Sequence, residues 1–214
     1  MKKNVFGLLL LFIGWLPGFT QEKSVTEILE ESKAKLERIS DFSADFTYSI
    51  EIKTNPTRVS KNGKFHYAKG KFVVIMEDQE IYSDGKSLWI HLPGEENSEV
   101  TIMNYDPEES FNFDLIFSPM YETATKAIYE GKKSVNGISY NQIYLEFSNP
   151  VLDYHQVRLW INETSKIQEK VVLVNRKQTI TTYAYTNIKI NQGLPESTFV
   201  FDTGNFQGDI YDER

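Results

Sequence analysis

The sequence predicts an α+β fold that is mainly β: an amphipathic helix, then an antiparallel meander of strands with a second short helix inserted. Three observations predict it. From Asp41 the pattern takes a period of two, with Phe42, Ala44, Phe46, Tyr48, Ile50 and Ile52 alternating with Ser43, Asp45, Thr47, Ser49, Glu51 and Lys53. That is a long strand with one apolar face. Further strand-like runs follow too closely for parallel crossovers, each of which needs a dozen or more residues. Finally, Asp84-Gly85 stands between two runs rich in aromatic and aliphatic residues, the strongest short-range signal of a hairpin with a type I′ turn.

The chain begins Met1-Lys2-Lys3-Asn4 and runs into an apolar stretch from Val5 to Leu16. This stretch is short for a membrane span and reads as a signal peptide over residues 1–20, cut before Gln21 or Glu22. Residues 21–214 then form a single domain of about 190 residues, enough for a sizeable core. Ser24-Val25-Thr26-Glu27 is a capping box that starts the first helix. Val25, Ile28, Leu29, Ser32, Leu36 and Ile39 form its packing stripe, and charged residues fill most of the remaining surface.

After the long strand, which Asn55-Pro56 ends, strands are expected at Gly63–Tyr67, Phe72–Met76, Glu80–Ser83, Ser87–Leu92 and Glu99–Asn104. A two-residue Asp84-Gly85 loop would set Ile81 opposite Leu88, Tyr82 opposite Ser87 and Glu80 opposite Trp89. Pro107 followed by acidic residues, and Pro119 as a stop, bound a short helix over 106–119 that is aromatic on more than one side. Strands resume at Gln142–Ser148, His155–Asn162, Lys166–Asn175 and Thr179–Lys189, with turn signals at Asn136-Gly137, Asn149-Pro150 and Asn162-Glu163.

Composition narrows the function. With no cysteine there are no disulfides, thiolate metal sites, cysteine nucleophiles or cysteine-linked lipid anchor. The formal charge of −7 becomes −9 once Lys2 and Lys3 leave with the leader, which disfavours nucleic acid and anionic bilayers. His66, His91 and His155 lie in strand-like runs without metal-ligand spacing, so they read as packed or rim residues. No hydrolase elbow, zinc-protease, P-loop or dinucleotide motif occurs. The 12 Tyr, 14 Phe and 3 Trp are the positive signal. They fit either a large β core or a sheet whose inner face stays open for a ligand under a movable aromatic cover.

In order and spacing, four pieces resemble the family of periplasmic lipoprotein carriers called LolA. They are the amphipathic first helix with Phe42-Ser43-Ala44-Asp45-Phe46-Thr47, then Gly63-Lys64-Phe65, then Ser83-Asp84-Gly85-Lys86-Ser87-Leu88-Trp89, and finally Leu194-Pro195-Glu196-Ser197-Thr198-Phe199-Val200-Phe201. The resemblance implies an unclosed antiparallel β-barrel, or half-barrel, with a helical lid over an apolar cavity for lipoprotein acyl chains. It implies no catalysis, no cofactor and no metal, and a monomer that takes acylated lipoproteins from an inner-membrane ABC transporter towards an outer-membrane acceptor. The cavity candidates are Leu29, Leu36, Phe46, Tyr48, Phe65, Phe72, Trp89, Phe113, Leu115 and Ile116. In relatives an arginine followed by proline helps hold the lid; Lys69-Gly70 stands in that place, so Lys69 is the candidate latch, without the planar fork of arginine. Two rivals of the same architecture are a periplasmic lipid-sensing or chaperone-like binding protein and a lipid-modifying enzyme. The enzyme would need one of the three histidines near a carboxylate inside the pocket.

Overall fold

The computed structural model describes residues 23–53, 57–94, 97–106, 117 and 120–214. Among these residues one α-helix, α1 (Val25–Leu36), precedes twelve strands. The strands are β1 (Phe42–Ile52), β2 (Thr57–Ala68), β3 (Lys71–Met76), β4 (Glu80–Ser83), β5 (Ser87–Leu92), β6 (Glu99–Asn104), β7 (Lys126–Val135), β8 (Ile138–Glu146), β9 (Tyr154–Asn162), β10 (Gln168–Asn175), β11 (Thr179–Ile190) and β12 (Asp209–Asp212). They form one sheet in the order β12-β6-β5-β4-β3-β2-β1-β11-β10-β9-β8-β7. Among the described residues the edge strands β12 and β7 do not pair with each other, so the sheet is open. The pairing of β1 with β11 joins the two halves of the chain, from Phe42 opposite Ile190 to Ile52 opposite Thr179.

The helix forms where its cap directs. Ser24 Oγ accepts from Glu27 N at 3.2 Å, and the Glu27 carboxylate accepts from Ser24 N at 2.7 Å, which satisfies two otherwise orphaned amides. The backbone amide of Ser24 holds the Glu27 carboxyl below its ordinary pKa. Ile28, Leu29 and Ser32 face the sheet and are buried.

The sheet departs from the predicted meander in four places. The hairpin register is displaced by two residues: Glu80 pairs with His91, Ile81 with Ile90, Tyr82 with Trp89 and Ser83 with Leu88. The cause is the Asp84 carboxylate, whose Oδ1 accepts from Lys86 N at 2.8 Å and Ser87 N at 2.7 Å. This side-chain turn lengthens the loop, and only Gly85 in it takes a positive φ, whereas a type I′ turn needs two such residues. Two-residue loops with both φ angles positive occur instead at Lys69-Gly70, between the paired Ala68 and Lys71, and at Asn136-Gly137, between Val135 and Ile138.

The second departure is β2, which starts at Thr57, six residues before the expected strand. Third, β7 lies where the pattern predicts no strand, because its polar, lysine-rich run is mostly exposed and its register shifts between Tyr129 and Gly131, which breaks the alternation. The fourth is β12, which lies parallel to β6 and makes the sheet not purely antiparallel. All four residues of β12 are exposed, so no hydrophobic pattern marks it.

One face of the sheet carries α1 and the main core, built on Phe42 and Phe46 of β1, Phe65 of β2, Phe72 and Val74 of β3, and Tyr183 and Tyr185 of β11. Burying each large side chain there contributes about 1.5–3 kcal/mol. The other face has a smaller cluster, in which Trp89, Val100 and Ile102 lie under Tyr82, Phe201 and Phe206.

Candidate functional site

Between α1 and the sheet lies a cavity of about 250 Å³. Leu29, Ser32 and Leu36 of α1 and Ile39 just after it form one wall; Tyr67 of β2 and Gln168 of β10 lie across from them, with Lys33, Glu37 and Lys69 also in the lining. Phe117 and Tyr121 complete it. The Phe117 ring stacks on Tyr67 with centroids 4.0 Å apart and planes 10° from parallel, and it meets Phe42 edge-on at 5.1 Å. It thereby joins the cavity lining to the packed core.

Polar contacts tie α1 to its surroundings at the rim. Lys33 pairs with Glu122 at 2.6 Å, Lys166 approaches Glu31 at 3.4 Å, and Tyr121 donates to Glu30 at 3.4 Å. The hydrogen bond from Lys33 to Glu122 raises the lysine pKa, and burial raises that of Tyr121. Pairs so exposed contribute little each, so the seat of α1 depends chiefly on its apolar stripe.

The link from α1 to β1 is held more firmly. Asp41, almost fully buried, accepts from Gln192 N at 2.7 Å, Gly193 N at 2.9 Å and Ser40 Oγ at 3.1 Å. Burial pushes its pKa up, but these donors and the Leu194 amide together outweigh it and hold the carboxyl below the ordinary 3.8. Asp41 thus fixes where the chain leaves α1 and enters the central strand. One acid in a run of alternating residues gave no hint of this, because its backbone donors at Gln192 and Gly193 lie 151 and 152 positions away in sequence.

The predicted cavity residues separate into groups. Leu29, Leu36 and Lys69 line the cavity. Phe46, Phe65 and Phe72 lie inside the packed core and do not line it. Tyr48 belongs to a different, more open cleft of about 450 Å³, with Leu152, Tyr154, Leu173 and Tyr183. Trp89 is corrected outright: it projects from the opposite face of the sheet, since its neighbours Leu88 and Ile90 join the main core while Trp89 packs beneath Phe201 and Phe206. Phe113, Leu115 and Ile116, like most of the expected 106–119 helix and the predicted leader, fall outside the described residues. Tyr67, Tyr121 and Gln168 were missed; their strands and turns show no pattern that distinguishes a cavity wall from ordinary core.

None of the three histidines lines the cavity, whose polar groups are Ser32, Lys33, Glu37, Lys69, Gln168 and the two tyrosines. His91 is the histidine found near a carboxylate, with Nδ1 3.1 Å from Glu80 and Nε2 2.8 Å from Ser98. It lies on the face away from the cavity, against the rings of Phe201 and Phe206. His66 contacts Ser43 Oγ at 2.9 Å, and burial lowers its pKa. His155 Nδ1 is buried without a hydrogen-bond partner. Among the described residues no cluster of three metal-ligating side chains occurs, and no helix is long and apolar enough to cross a membrane.

An open sheet with one aromatic face, a helix across it and a cavity between them is a half-barrel architecture. The sequence model of the family described as outer membrane lipoprotein carrier protein LolA matches residues 37–202, and the chain belongs to that family. Among solved structures, an uncharacterized conserved protein from Thermus thermophilus is similar at 10% identity and a TM-score of 0.56, with 89% of this chain and 99% of that one covered. LprF from Mycobacterium bovis is similar at 11% identity and a TM-score of 0.51, covering 80% and 94%. The LolA superfamily protein NE2245 from Nitrosomonas europaea also matches, at 12% identity and a TM-score of 0.42, covering 85% and 99%. At these identities the likeness to the Thermus thermophilus protein and to LprF is one of fold. No curated protein matches the sequence.

Proposed function

We propose that this protein is a periplasmic carrier of lipoproteins, which shelters their acyl chains beneath α1 and moves them from the inner towards the outer membrane. The observation that carries this reading is the cavity between α1 and the sheet, lined by Leu29, Leu36, Ile39, Tyr67 and Phe117, in a chain of the LolA family. Water makes such a container necessary: at about 0.8 kcal/mol per buried CH₂, exposing several long chains is unfavourable by tens of kcal/mol. The present volume of about 250 Å³ is below the roughly 300–1,000 Å³ typical of small-molecule sites. Loading therefore requires α1 to shift on the sheet against the apolar stripe that seats it, with the weak rim contacts adding little resistance. Lys69, in the β2–β3 turn beside the cavity, is the proposed latch of the closed state. An inner-membrane ABC transporter and an outer-membrane acceptor are the proposed partners, and the predicted leader supplies export.

The test is to express the full chain with its own leader in a bacterial host and identify by mass spectrometry what co-purifies from the periplasm. Acylated lipoprotein is expected with the natural sequence and lost with Leu36→Glu, whose circular dichroism spectrum stays that of the folded sheet. Purification without acylated cargo, or unchanged cargo with Leu36→Glu, refutes the proposal.

A further inference from the structure

The stripe of α1 that faces the sheet is apolar except for Ser32. That serine is only 4% exposed, its Oγ has no hydrogen-bond partner, and it lines the cavity. Buried hydroxyls are nearly always paired, and a serine within a helix can return its proton to the carbonyl four residues earlier; this one does neither. On the sheet side of the same space, Gln168 of β10, 3% exposed, brings an amide to the lining. Lys33, Glu37 and Lys69 also line it, and the rest of the wall is leucine, isoleucine and aromatic ring. A pure hydrocarbon guest would leave the Ser32 hydroxyl unpaired, whereas an acceptor oxygen at the head of an apolar chain would pair it without bringing a further donor into the pocket.

We infer that Ser32 is a recognition group, whose hydroxyl donates to the carbonyl oxygen of an ester-linked acyl chain. The site thereby distinguishes acyl chains from ether-linked chains of equal length. This rests on the carrier reading and names the feature of the cargo that the cavity reads.

The experiment uses two probes that differ only in that oxygen, 1-lauroylglycerol and 1-dodecylglycerol, titrated calorimetrically into the full mature chain. The natural protein is expected to prefer the ester about fivefold, the effect of one neutral hydrogen bond. Ser32→Ala is expected to bind both probes alike, with its affinity for the ether unchanged. Equal binding of ester and ether by the natural protein, or a preference that survives in Ser32→Ala, overturns the inference and leaves the carrier reading standing. Binding of neither probe overturns both. Unliganded Ser32→Ala should melt no lower than the natural protein, since no bond is lost; a lower melting temperature would show the hydroxyl already paired within the fold and would also overturn the inference.

Discussion

Gly63 stands at the centre of the sheet, opposite Phe46 on one side and Met76 on the other. A Cβ added there would lie 2.1 Å from the carbonyl oxygen of Ile75, 3.0 Å from its carbonyl carbon and 3.1 Å from Met76 Cγ. Two of these atoms are backbone of β3, which cannot rotate aside as a side chain would, so Gly63→Ala must push β3 away from β2 or bend β2 where Phe46 packs. Overpacking of this kind costs about 1–3 kcal/mol, and the rigid partner places this case near 3. For a domain of this size, each kcal/mol corresponds to about 2–4 °C, so the melting temperature should fall by about 6–12 °C. Thermal unfolding followed by far-ultraviolet circular dichroism measures it. Gly70→Ala is the control: its φ of 85° strains any side chain, but nothing lies within 4 Å, so only the left-handed penalty of about 1–2 kcal/mol applies. Should Gly63→Ala melt within about 2 °C of the natural protein, or no lower than Gly70→Ala, the crowding argument is wrong.

Three further outcomes test other parts of the structure. Phe117→Ala removes the stack on Tyr67 and the edge contact with Phe42, and each such pair contributes about 0.5–1.5 kcal/mol beyond area burial; it should increase binding of a hydrophobic dye to the unliganded protein, and unchanged dye fluorescence would count against the role given to that ring. Asp41→Asn should cost about 1–3 kcal/mol in urea titrations at neutral pH. Because the folded pKa of Asp41 is depressed, its contribution is present above the unfolded value near 3.8 and is lost as pH falls through the lower folded value. The variant should therefore show a shallower acid limb below about pH 4, and identical slopes would refute the assignment. Trp89→Ala should cost about 3–5 kcal/mol, measured by denaturant unfolding, yet leave acyl-probe affinity unchanged, because Trp89 is buried on the face away from the cavity. A selective loss of affinity would place it in the site after all.

What the sequence by itself determined is what short-range interactions decide. The capping box at Ser24 and Glu27 closes within one turn of helix, the alternation from Phe42 to Thr47 sorts that part of the strand into two faces, although further along Ser49 is buried and Ile52 exposed, and Asn136-Gly137 is suited to a tight turn wherever it occurs. Order and spacing of such pieces also carried the family resemblance, which the match over residues 37–202 shows to be membership. The tertiary structure decided what depends on partners distant in the chain. Asp84 could turn tightly or fold its carboxylate onto the next amides, and both choices keep Ile81 and Leu88 on one face, so alternation could not separate them. Trp89 and Leu88 are both apolar; which of them meets the main core follows from the face on which α1 packs and the face that Phe201 and Phe206 cover. The cavity is decided in the same way. Leu29 and Leu36 belong to any amphipathic helix, and Phe46 and Phe65 to any β core, but only the seat of α1 on the sheet leaves this space beside the first pair while the second pair stays buried away from it.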